Sequence, residues 1–163
     1  MADAARDPRH RIAQVHLEEP VRIRLSAQVE HERRAALFDL IEENHFALCN
    51  GEAGPYVLHL GIEEGERLAF DIRDHAERPL ARFTLPLRAL RRIIKDYFLV
   101  LDSYFKSIKT ATPSRIEAID MGRRGLHNDG AELLRARLAD TADMDLDTAR
   151  RLFTLICVLH IRA

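Results

Sequence analysis

The chain has 163 residues, of which 47% are hydrophobic and 31% charged, and its formal net charge is −1. This composition excludes a largely disordered chain, and the lack of an apolar run of roughly 20 residues excludes a membrane-spanning helix. The N-terminal sequence MADAARDPRHR lacks the apolar core of a secretory signal, so we expect one cytoplasmic domain over residues 1–163, with residues 1–10 disordered.

The first part of the chain combines strand and helix patterns. Apolar and polar residues alternate over 13–17 and again over 21–25, which predicts two short strands. Ser26 is a suitable N-cap for the amphipathic stretch that follows it. We expect that helix to end at Asn44, in the left-handed region that asparagine tolerates.

From Phe46 to Leu85 the apolar residues recur at every second position, and this spacing is typical of strands. Turn signals interrupt the pattern at Asn50-Gly51, at Glu64-Gly65 and over residues 74–79. Short strands that are joined by short turns predict an antiparallel meander with one solvated face.

The period becomes helical from Pro86, which we place in the first turn of a long helix. Thr112-Pro113 predicts the start of the next helix, and Asp145 or Asp147 predicts the start of the last one. The last helix, LDTARRLFTLICVLHI, is apolar on nearly all sides, so we expect it at the centre of the core, with a homodimer interface as the alternative. The predicted fold is α+β: an antiparallel β-meander followed by a C-terminal set of helices packed on one face of the sheet.

The segment DMGRRGLHNDGAELL, residues 120–134, has the signals of a tight turn between two helices. Gly125 fits the left-handed residue after a helix, and Leu126 and Met121 fit the accompanying apolar contact. Asp129 and Glu132 have the spacing of a capping box at the start of a further helix. We therefore predict a helix–helix loop around residues 123–128.

A turn does not require the residue types found at Arg123, Arg124, His127 and Asn128. Two arginines beside the N-terminus of a helix could bind a phosphate or carboxylate group, and a histidine there could donate a hydrogen bond. The alternative interpretation is that these side chains are solvated, since Asp129 already places a negative charge at the helix cap. We retain these four residues as a candidate anion site.

Other chemistry-bearing pairs have ordinary structural explanations. We expect His59 to neighbour Asp71 across the sheet, either as an acid–base pair or in a routine cross-strand hydrogen bond. Glu42 and His45 have a metal-ligand spacing, but a histidine at a helix end is also favoured by the helix dipole. Cys49 and Cys157 are each interpreted as a small buried hydrophobic residue and not as a nucleophile. We predict no metal site and no cofactor.

Several longer segments resemble a known family. The segments are HRIAQVHLEE, LIEENHF, DYFLVLDSYF, SIKTATPSRIEAIDMGRRGLHNDGAELL and DTARRLFTLICVLH. Together they are similar to uncharacterised protein family 0262 of alphaproteobacteria, along almost the whole chain. The resemblance implies a bacterial protein, and it implies no activity and no site residues.

Two functions of different classes follow from these patterns. The first is a non-catalytic interaction or regulatory protein with an unknown protein partner. The alternative is a protein, with or without enzymatic activity, that binds a phosphate-bearing ligand or RNA through the loop over 123–128. Residues 86–137 contain 11 basic and 6 acidic side chains, but the aromatic residues there have core spacing, which argues against nucleic acid without excluding it.

Overall fold

The computed structural model describes residues 7–19 and 25–162. The elements along the chain are β1 (Ile12–Glu18), α1 (Ala27–Glu42), β2 (Phe46–Leu48), β3 (Tyr56–Glu63), β4 (Arg67–Arg73), β5 (Pro79–Pro86), α2 (Arg88–Thr110), α3 (Pro113–Leu138), β6 (Ala142–Met144) and α4 (Leu146–Arg162). The larger sheet has the order β1-β3-β4-β5, and β2 pairs with β6 in a separate sheet. The α+β prediction is confirmed.

Strands β3, β4 and β5 form the predicted antiparallel meander. The turn between β3 and β4 is closed by a 3.0 Å hydrogen bond from the Glu66 N–H to the Glu63 carbonyl. Its two central residues, Glu64 and Gly65, have φ angles of 56° and 66°. Positive φ at both central positions is what a type I′ turn requires, and this turn type matches the twist of the paired strands.

Two pairings differ from the predicted meander. Strand β1 pairs in parallel with β3, because α1 provides the long crossover that a parallel pair needs. Strand β2 does not join the meander but pairs with β6, a strand that was not predicted from the sequence. A strand of three residues is too short to show a period of two, so β6 left no signal in the sequence.

The start of α1 is as predicted, but its end is not. The Ser26 hydroxyl accepts a 3.2 Å hydrogen bond from the Val29 N–H. Among the described non-glycine residues, only Glu64 and Glu77 have positive φ, so the prediction of a left-handed Asn44 is wrong. Asn44 instead donates hydrogen bonds from Nδ2 to the carbonyls of Leu40 and Ile12 and thereby joins the helix end to β1. The strand predicted over 21–25 falls mainly on residues outside the described part of the chain.

The last helix lies at the centre of the core, as its all-round apolar pattern predicted. Every residue from 152 to 159 is buried, and α4 contacts α1, α3 and β3. Asp145 caps this helix through a 2.9 Å hydrogen bond from the Thr148 N–H to Asp145 Oδ1. Pro86 ends β5 and α2 begins at Arg88, so the placement of Pro86 in the first helical turn is wrong.

The predicted loop over 123–128 does not exist, since α3 is continuous from Pro113 to Leu138. The described glycines with positive φ are Gly51 and Gly65, so Gly125 does not have the backbone geometry of a helix end. Helix α3 packs against both α2 and α4, and this packing outweighs the cost of its glycines, about 1 kcal/mol each. Asp129 therefore lies inside the helix and caps nothing.

Candidate functional site

The four residues of the predicted anion site lie on one side of the middle of α3. Arg123 is half-buried and donates hydrogen bonds of 3.0 and 2.7 Å from Nε and Nη2 to Asp120 Oδ1. Arg124 is exposed, and its Nη2 is 3.0 Å from Asp120 Oδ2. One carboxylate therefore partly neutralises both guanidinium groups. The guanidinium of Arg123 also lies over the ring of Tyr104, 5.2 Å from its centroid.

His127 lies one turn after Arg123 on the same side of α3, and it connects α3 to α4. Its Nε2 is 2.8 Å from the Arg150 carbonyl and 2.9 Å from Thr154 Oγ1. A carbonyl can only accept a hydrogen bond, so Nε2 carries the proton. Burial lowers the pKa of His127 to about 4, because the charged imidazolium would lose its hydration, and the ring is therefore neutral at pH 7.

The structure thus brings together only part of the predicted set. Arg123 and Arg124 share Asp120, His127 joins the packed interior beside Tyr97 and Phe153, and Asn128 is half-buried. The Oδ1 atom of Asn128 is buried and has no hydrogen-bond partner among the described residues. The anion site remains a prediction, with Arg123 and Arg124 as the residues that present charge.

A second polar region lies on the sheet face opposite the helices. His16, His59, Asp71 and Arg82 are paired in register across β1, β3, β4 and β5, so they form one row on the outer face. The neighbouring positions on β3 and β4 are Gly61 and Ala69, whose small size leaves a depression of about 230 Å³. Gly61 is required there, since a Cβ would lie 2.8 Å from Glu18 Cβ.

His59 is the centre of this outer-face row. Its Nε2 is 3.1 Å from Glu77 Oε2 and its Nδ1 is 3.5 Å from Glu18 Oε1. Its ring stacks on that of His16 with 4.6 Å between centroids and 15° between planes. The predicted register of His59 with Asp71 is confirmed, but the ring nitrogens of His59 face Glu18 and Glu77.

Arg73 organises the carboxylates around that histidine. It donates from Nη1 to Glu77 at 2.9 Å and from Nη2 to Asp71 at 2.7 Å. These hydrogen bonds lower the pKa of Asp71 and of Glu77, so both groups are carboxylates at neutral pH. His16 and Glu77 are not among the residues predicted from the sequence, because the hydrophobic pattern shows neither the parallel β1–β3 pair nor the turn that folds back over the sheet.

The remaining candidates have structural partners. His45 pairs with Asp143, with 3.1 Å between Nε2 and Oδ2, and its backbone N–H donates to Thr148. Cys49 and Cys157 are free thiols; Cys157 is buried as predicted, but Cys49 is exposed, so the prediction of a buried Cys49 is wrong. Burial raises the pKa of Cys157, which suits a small core residue and not a nucleophile.

Helices α2 and α3 extend beyond the core as a hairpin. No residue from Asp102 to Asp129 is buried, and Met121 is 65% exposed. Where this hairpin meets the start of α1, a groove of about 550 Å³ opens to solvent. The residues that line this α1–α2 groove are Ser26, Gln28, Val29, Phe98, Leu101, Asp102, Phe105, Lys106, Lys109 and Thr110.

The fold and these surfaces define an α+β protein with a central helix, an open polar sheet face and a projecting helical hairpin. The profile of the Uncharacterised protein family (UPF0262) matches residues 9–162, and the chain belongs to this family. It is 56% identical over 154 residues to a UPF0262 protein of Paramagnetospirillum magneticum, covering 94% of this chain and 98% of that one. It is 54% identical over 148 residues to a UPF0262 protein of Rhodospirillum rubrum, covering 91% of each chain.

The family resemblance noted in the sequence is therefore confirmed, and it brings no assigned activity with it. No solved structure matches the chain. Within the described residues, none of the helices is both long and apolar enough to cross a bilayer.

Proposed function

We propose that this protein is a non-catalytic interaction protein of the cytoplasm that binds a helical segment of a protein partner in the α1–α2 groove. The observation that supports this function is the open apolar floor of that groove. Phe98 and Phe105 are only half-buried, and they flank the buried Leu101 at helical spacing. An apolar stripe of this kind matches the anchor residues of an amphipathic helix.

The rim of the groove favours a partner with acidic side chains. Asp102 is paired with Lys106 at 2.8 Å, whereas Lys109 forms no ion pair with a described residue. The groove also includes the first turn of α1, where the helix dipole places partial positive charge. A helix with an apolar stripe flanked by glutamates would therefore complement both the floor and the rim.

Two designed peptides test this function directly. Both carry the same apolar stripe at i, i+3, i+4 and i+7, and the flanking positions are glutamate in one and lysine in the other. We expect the glutamate peptide to bind more tightly in a fluorescence anisotropy titration. Phe105→Asp should abolish its binding, and Lys109→Glu should reduce the preference for it.

Leu99→Asp is the matched control, because Leu99 is an apolar α2 residue that is 61% exposed and lies outside the groove. Equal loss of binding in Phe105→Asp and Leu99→Asp would refute a groove-specific function. A second copy of the chain is the other possible occupant of the groove, and sedimentation tests for it. If the parent chain is a dimer and Phe105→Asp dissociates it, another copy fills the groove, and the proposal of a different protein partner is wrong.

A further inference from the structure

The outer face of the sheet contains three metal-ligand side chains that converge from separate elements. One ligand atom from each of His16, His59 and Glu77 lies within 4.8 Å of the other two. His16 comes from β1 and His59 from β3, and Glu77 comes from the turn before β5. No other described residues of these types form such a group of three.

The spacing of the donors suits a small tetrahedral ion. Bonds of about 2.0–2.1 Å from zinc to nitrogen and oxygen place tetrahedral ligand atoms about 3.3 Å apart. His59 Nε2 and Glu77 Oε2 are 3.1 Å apart, so this edge of a coordination tetrahedron is already formed. The ligand atoms of all three residues lie within 4.8 Å of one another, so the stacked ring of His16 must turn out of its stack and move closer to add a third donor.

Neighbouring polar groups hold His59 and Glu77 in place, as the hydrogen-bond partners of metal ligands do. The second nitrogen of His59, Nδ1, faces Glu18, and a carboxylate in that place orients a metal-bound imidazole. Arg73 holds Glu77 through a 2.9 Å hydrogen bond. Asp74 Oδ1 accepts 2.9 Å hydrogen bonds from the N–H groups of Ala76 and Arg78, and these fix the turn that directs Glu77 over the sheet.

The local charge also favours a cation. The carboxylates of Glu18, Asp71 and Glu77 surround the two imidazoles, and Arg73 is the cation in direct contact with this group. The nearby Arg82 is paired with Glu63. An ion that approached from solvent would therefore meet an excess of negative charge, and the 47% exposed side chain of Glu77 leaves it a path.

We propose that His16, His59 and Glu77 bind one divalent transition-metal ion of the zinc class, with Glu18 and Arg73 as positioning residues. Two imidazoles and a carboxylate suit zinc, and they suit magnesium or calcium poorly, since those ions prefer oxygen ligands. Three protein ligands leave a fourth position for water or for a group on a partner.

Isothermal titration of the full, tag-free chain with zinc chloride tests this site. We expect one ion per chain in the parent, and at least a tenfold weaker affinity in both His59→Gln and Glu77→Gln. Magnesium chloride should show no comparable binding. Circular dichroism of each variant establishes that it is folded, so that a lost site is not confused with a lost fold.

The control is His75→Gln, which removes an exposed histidine from the same turn as Glu77 and should leave the affinity unchanged. Cobalt titration adds a spectroscopic readout, because a tetrahedral site gives an intense visible absorption that surface histidines do not. Absence of stoichiometric zinc binding, or an equal loss in His75→Gln and His59→Gln, would overturn the proposal.

Discussion

The two halves of α3 contain glycines in opposite surroundings. In the first half, a Cβ on Gly122 or Gly125 would meet nothing within 4 Å. In the second half, a Cβ on Gly130 would lie 2.4 Å from Cζ of Phe153 on α4. The first half projects into solvent, and the second half packs so closely on α4 that only glycine fits. Glycine thus only lowers helix stability in the first half of α3, whereas in the second half it allows the close contact with α4.

His127 lies at the boundary between the two halves of α3. Protonation of this buried side chain is expected to have the largest effect on folding stability of the changes considered. An unfolded histidine titrates near 6.5, whereas the pKa of His127 in the folded protein is about 4. The unfolded chain therefore takes up a proton at His127 more readily than the folded chain does. For this reason the free energy of unfolding is at its full value above about pH 6.5, and it falls as the pH decreases toward 4. We expect a loss of up to about 3 kcal/mol over this interval.

Urea unfolding at a series of pH values measures that loss. His127→Gln should flatten the pH dependence between 6.5 and 4, and His31→Gln, at an exposed histidine on α1, should not. An unchanged slope in His127→Gln would mean that other groups cause the acid sensitivity.

Gly130→Ala tests the packed half and has the next largest effect. The new methyl group would push against Phe153, which is fully buried, and overpacking of this kind costs about 1–3 kcal/mol. Since both helices contribute to one hydrophobic cluster of the described residues, we expect the whole unfolding transition to shift together, whether followed by helix circular dichroism or by tyrosine fluorescence.

Phe153→Leu in the Gly130→Ala background should recover part of that loss, because it removes the clashing ring atoms. A double variant whose losses simply add would contradict the close contact between Gly130 and Phe153.

Gly125→Ala tests the projecting half, and its expected effect has the opposite sign. Alanine at an exposed position within a helix stabilises by roughly 0.5–1 kcal/mol relative to glycine. The predicted helix end would instead have required a left-handed Gly125, and alanine would then destabilise. Gly65→Ala is the control for that case, because Gly65 has a φ of 66° and should lose stability. Thermal unfolding of both variants distinguishes the continuous helix from the loop.

These glycines also show how far the sequence could predict the structure. Gly65 was predicted correctly, because its role depends on the adjacent residues of one hairpin. Gly125 was not, because its capping signals are local, whereas the continuity of α3 depends on contacts with α2 and α4 that are distant in sequence. The candidate sites follow the same rule: Arg123 and Arg124 were found within one segment, and the grouping of His16 with Glu77 required the parallel β1–β3 pair and the turn beyond β4.

The smallest expected effect concerns the predicted anion site on the projecting half. Arg124→Ala should change stability by no more than about 0.5 kcal/mol, as substitutions of exposed residues usually do. Arg123→Ala should cost more than Arg124→Ala, because Arg123 is half-buried over the ring of Tyr104. Both guanidiniums are paired with Asp120, so inorganic phosphate must compete with that carboxylate and should bind weakly. At a phosphate concentration equal to its Kd, the stabilisation is only about 0.4 kcal/mol.

Asp120→Asn frees both arginines and should therefore increase the stabilisation by phosphate, measured as thermal unfolding against sodium chloride at the same ionic strength. Phosphate that stabilises Asp120→Asn no more than the parent chain would show that Arg123 and Arg124 do not form an anion site.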